Sequence, residues 1–116
     1  MNSNFTMIPD LSFQDIFPNE AKLTFFTNNE TCRVQVKAGN LLFIIMPNGS
    51  QLAFSVENVK HRDNYAELQF TIRRESDYQE WPETATMTLT KTEDLIFEGL
   101  IVGEGMNEKI RFDTQP

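Results

Sequence analysis

The sequence predicts an all-β domain: a small antiparallel meander of about eight strands closed as an up-and-down barrel, with a two-layer β-sandwich as the alternative. Three observations carry this. Stretches of period-two alternation recur from Lys22 to the end of the chain. Turn residues separate them at roughly even intervals, and most connectors hold two to five residues, which favours hairpins over crossovers. Closure of such a meander removes exposed strand edges.

The elements follow in order. Residues 1–20 read as an N-terminal arm with a short helix, and 21–116 as a single β domain. In the arm, Ser12 is placed to N-cap a helix in which Phe13, Ile16 and Phe17 share one face and plug an apolar opening; Pro18 stops it. Strands are expected over 22–27, 31–37, 41–46, 51–60, 65–74, 84–91, 95–102 and 108–112. Cys32, Val34 and Val36 face one way while Arg33 and Gln35 face the other. The run Leu41–Met46 is apolar on both faces and leads into Asn48-Gly49, which suggests a type I′ turn. A small barrel buries one face of each strand, so the second face of this run needs a cover: the helix, a second copy in a homodimer, or a target. Gly99, inside an apolar strand, fits a bend or bulge of a closing sheet.

The chain has 116 residues and a net charge of −7, and the charge is unevenly spread. Residues 1–74 hold seven acids and seven Lys or Arg; residues 75–116 hold ten acids and three bases, so the whole excess lies in the last third. That argues against direct nucleic-acid binding, which draws on basic surfaces. The longest apolar run is the six residues Leu41–Met46, short of the roughly 20 a membrane helix needs. The first residues lack a basic stretch before an apolar core, so a cytoplasmic location is expected.

Catalytic and metal patterns are sparse. One His and one Cys are too few for a Cys/His metal site, and no phosphate-binding glycine loop or nucleophile elbow occurs. No cofactor is expected. His61 beside Asp63 is a weak general-base candidate, and Cys32 reads as a packing thiol. The alternating Thr84, Thr86, Thr88, Thr90 and Thr92 fit an exposed strand face. Three Asn-x-Ser/Thr tripeptides, at Asn4, Asn29 and Asn48, lack a route to glycosylation without a leader.

The most suggestive stretch is the connector from Glu75 to Glu83. It is the longest, carries four acids and no base, and holds the only Trp. Glu75, Asp77, Tyr78, Glu80, Trp81 and Glu83 are therefore the candidate partner-binding residues, with aromatic anchors inside an acidic rim. Small acidic all-β chains of this kind are similar, by class and without a shared motif, to bacterial immunity proteins, phage-encoded inhibitors and lipocalin-like binders. The expectation is a non-enzymatic protein that occludes a basic site on a partner. The alternative is a carrier of a small apolar ligand inside the barrel, lined by Phe25, Phe43, Phe54, Phe70, Met87 and Phe97.

Overall fold

The computed structural model describes residues 4–9, 13–18 and 20–116. Its elements are β1 (Thr6–Met7), α1 (Phe13–Ile16), β2 (Ala21–Phe25), β3 (Glu30–Lys37), β4 (Leu41–Ile45), β5 (Gln51–Arg62), β6 (Glu67–Arg74), β7 (Thr84–Glu93), β8 (Ile96–Gly103) and β9 (Met106–Asp113). Strands β2 to β9 pair antiparallel in sequence order, and β9 returns to pair with β2, with Leu23 opposite Phe112 and Phe25 opposite Ile110. The fold is a closed eight-stranded up-and-down barrel, as the alternation predicts, with one extra strand that it does not.

Alternation places one side chain in two inside. Leu23, Cys32, Val34, Leu42, Ile44 and Phe54 are all within 2% of full burial, as are Phe70, Ile72, Met87, Ile110 and Phe112. An eight-stranded barrel leaves an interior that such side chains fill.

Both ends of the barrel are closed by aromatic side chains. At one end Phe13 of α1 and Phe17 just after it, both buried, enter the mouth. Phe13 lies 4.7 Å from Phe70, and Phe17 lies 5.1 Å from Phe112. The expected plug is present, although the proposed cap, Ser12, lies outside the described residues. A distant group also serves the helix start: the Phe13 amide donates to Oδ1 of Asn40, in the β3–β4 turn, at 2.6 Å. At the other end Trp81 folds inward, 5.3 Å from Phe54 and 6.0 Å from Phe25.

The β4–β5 hairpin does not use a type I′ turn. Among the described residues Gly49 has φ +91° while Asn48 is not left-handed, and the Gly49 amide donates to Met46 O at 2.9 Å. Pro47 fixes a negative φ at the first turn position, so the loop becomes a three-residue turn ending on a left-handed glycine. β6 starts at Glu67, because Asp63, Asn64 and Tyr65 are left-handed and form the turn. The strand-breaking irregularities lie between Glu57 and Lys60 and between Lys91 and Glu93. Gly99 is in register opposite Leu89, and its role is close approach: a Cβ there would lie 1.8 Å from Thr88 O.

The ninth strand is new. β5 runs on past β4, which pairs only with Gln51–Ser55, and β1 covers the edge left bare by pairing with Lys60 and His61. Arg62 lies over the Phe5 ring at 4.3 Å.

The second face of β4 is not covered by α1: Phe13 in it and Phe17 just after it point into the barrel. Phe43 sits outside between Gln35 and Ala53, half-buried by its strand neighbours, and Leu41 is 36% exposed.

Candidate functional site

The four connectors β2–β3, β4–β5, β6–β7 and β8–β9 share the Trp81 end, because an up-and-down barrel sends alternate turns to the same side. That end gathers acids from separate parts of the chain. Glu75, Asp77, Glu80 and Glu83 come from the long connector; Glu30, Glu104 and Glu108 join them from other strands and turns. The nearby bases are already engaged. Arg74 donates to the carbonyls of Tyr78 and Trp81, the latter at 2.7 Å. Arg73 pairs with Glu57 at 3.0 Å and reaches Glu83 at 3.8 Å, and Lys109 lies over the Phe26 ring at 5.4 Å. Seven acids against Arg73, Arg74 and Lys109 leave the pole net anionic.

The long connector is held in one shape. Its start is stitched to β5: the Glu75 amide donates to Ala53 O and the Ala53 amide to Ser76 Oγ, both at 2.8 Å. Ser55 Oγ donates to Glu75 Oε1 at 2.9 Å. Arg74 ties down the middle through the two carbonyls, and Trp81 anchors the end from inside the barrel. Tyr78 is half-buried, and its hydroxyl donates to Glu80 Oε2 at 2.8 Å. That bond to a carboxylate holds the Tyr78 phenol above its ordinary pKa.

The six sequence-selected residues thus divide by role. Glu75, Asp77, Glu80 and Glu83 are exposed at the pole and Tyr78 is partly so. Trp81 is 6% exposed, so it shapes the surface from beneath instead of presenting a ring to a partner. Sequence reasoning missed Glu30, Glu104 and Glu108. The alternation of turns between the two ends was the signal that could have found them.

Beside Trp81 a recess of about 140 Å³ opens at the pole. Phe25, Met46, Met106 and Trp81 form its apolar floor, and Glu30 and Glu108 stand at its rim. Thr27 Oγ1 donates to Glu108 at 2.6 Å, and Asn28 holds Glu30 through its side-chain amide at 3.2 Å. Apolar walls with anionic edges suit the aliphatic stem and charged head of a basic side chain.

Of the candidate interior ligand contacts, Phe25, Phe54, Phe70, Met87 and Phe97 do face inward. Phe43 does not: the register of β4 against β3 and β5 puts it outside. The inward five lie in one continuous buried cluster with Phe13, Phe17 and Trp81. His61 lies flat against Tyr65, with ring centroids 4.3 Å apart. Burial raises the pKa of the Cys32 thiol, as expected for a packing cysteine. Among the described residues no three His, Cys, Asp or Glu side chains gather as metal ligands. Nor is any helix among them long and apolar enough to cross a membrane. No protein-family model matches the sequence, and no curated protein or solved structure matches the chain.

Proposed function

We propose that the chain is a non-enzymatic protein-binding module whose acidic pole occludes a basic site on a partner protein, as an inhibitor or immunity-type protein does. The observation that carries this is the convergence of seven carboxylates (Glu30, Glu75, Asp77, Glu80, Glu83, Glu104 and Glu108) on one end of a rigid barrel, with the neighbouring bases already engaged. Like charges held together on a surface steer a complementary partner and raise its association rate. The fixed shape of the long connector lowers the ordering cost of binding. The same charge opposes direct contact with nucleic acid. The setting is read as cytoplasmic, where the buried, unpaired Cys32 stays reduced.

An apolar ligand inside the barrel is the weaker reading, because the inward aromatics pack on one another and both mouths are plugged. The test is capture from the native host with the wild type and with a variant carrying Glu75→Ala, Asp77→Ala, Glu80→Ala and Glu83→Ala. The proposal requires a basic partner that the variant binds at least about tenfold more weakly, and whose wild-type affinity falls as salt rises. Equal binding by both proteins sinks it.

A further inference from the structure

The end of the barrel opposite the acidic pole carries a second feature. Between α1, the β5–β6 turn and the β7–β8 turn lies a half-open groove of about 380 Å³. Its size falls within the roughly 300–1,000 Å³ of small-molecule pockets, and the mouth of a barrel is one of their usual places. Ile16, Phe17, Leu68 and Phe97 form the floor, and Tyr65 and Leu95 form the two walls.

The walls are unusual. Among the described residues, seven non-glycine positions have left-handed φ. Five are Asn or Asp (Asn29, Asn40, Asn58, Asp63 and Asn64), which tolerate that conformation. The other two are Tyr65 at +68° and Leu95 at +66°, and both line this groove. Each is also about 40% exposed. A bulky apolar side chain kept in a strained backbone conformation and left facing water is doubly unfavourable for the fold alone. Such strain persists where the surroundings over-determine it and is concentrated at ligand clamps.

The surroundings do over-determine it. Leu95 O accepts both the amide and the hydroxyl of Thr114, at 2.8 and 2.7 Å. Tyr65 is stacked within 8° of parallel on His61, whose buried Nδ1 has no hydrogen-bond partner among the described residues.

We infer that this groove binds a small uncharged apolar molecule, gripped between Tyr65 and Leu95. The absence of charge follows from the rim. The two charged side chains that line the groove, Asp15 and Lys91, are of opposite sign, so a net charge on the ligand gains from one and loses to the other. The groove lies at the plugged mouth and shares Phe97 with the barrel interior; it is separate from the acidic pole and does not depend on what binds there.

The experiment is a fluorescence titration of the full chain with N-phenyl-1-naphthylamine, an uncharged apolar probe. A single saturable site is expected. Leu95→Gly and Tyr65→Asn each suit the left-handed backbone while removing a wall, and each weakens binding by about tenfold or more. Leu100→Thr, an exposed apolar residue on the outer face of β8, binds as the wild type does. Circular dichroism checks the fold of each variant, and either wall variant alone suffices. The inference is overturned if the probe does not saturate, if a folded wall variant binds as the wild type does, or if Leu100→Thr loses as much. A sulfonated naphthalene of similar size binding as tightly overturns the assignment to uncharged ligands.

Discussion

Replacing Trp81 with alanine tests how the acidic pole is built. Trp81 is 6% exposed and packs edge-on to Phe25 and tilted on Phe54. A buried Trp removes roughly 150–250 Å² from water, which at about 25 cal/mol per Å² is worth about 4–6 kcal/mol. Measured Trp or Phe to Ala changes cost about 3–5 kcal/mol, so about 4 kcal/mol is expected. The bonds from Arg74 reach the backbone carbonyls of Tyr78 and Trp81 and survive the substitution, so the loss belongs to the side chain. A chain of 116 residues holds roughly 6–17 kcal/mol in all, so the variant loses a large share of its stability. Trp81→Phe keeps a ring in the mouth and costs about 1–2 kcal/mol. Urea unfolding followed by far-ultraviolet circular dichroism is the assay, since the only Trp is removed. With a slope of about 1.5 kcal/mol per molar, the Trp81→Ala midpoint falls by roughly 2–3 M. A loss below about 1 kcal/mol would mean that Trp81 is not what closes the mouth.

Gly99→Ala places a methyl 1.8 Å from Thr88 O, on backbone that cannot move without parting β7 from β8; it costs about 3 kcal/mol or more, read by the same unfolding assay. Asn40→Gly keeps the left-handed φ of +57° but removes the acceptor for the Phe13 amide, costing about 1 kcal/mol in thermal or urea unfolding. Glu67 makes a two-pronged ion pair with Arg62, at 2.7 and 2.8 Å, which holds its carboxyl below the ordinary value. The stabilisation is present above the unfolded carboxyl pKa of about 4.3 and is lost as pH falls through the lower folded value. The melting temperature of the wild type therefore drops more steeply below about pH 4.5 than that of Glu67→Gln, and parallel curves contradict the pairing.

Much of the barrel was legible because an interior strand repeats every two residues. Cys32-Arg33-Val34-Gln35-Val36 fixes its own phase. Leu41–Met46 does not, being apolar on both faces, and only its pairing with β3 turns Phe43 outward. β1 was hidden because two residues joined by backbone bonds leave no side-chain pattern. Pro47 shifted the β4–β5 turn by a constraint on φ that outranks the Asn-Gly preference. At the pole, Glu75 to Glu83 could be found because they are contiguous, whereas Glu30, Glu104 and Glu108 come together only through closure. The inward turn of Trp81 and the strained walls at Tyr65 and Leu95 are set by tertiary packing, which composition does not record.

The proposal that the acidic pole is the contact surface is tested most directly by hydrogen exchange of the chain free and bound to its captured partner. Slowed exchange is expected only at the pole, at residues 26–30, 75–83 and 103–108, with the outer faces of β6 to β8 unchanged. Protection on those outer faces with an unaltered pole contradicts it.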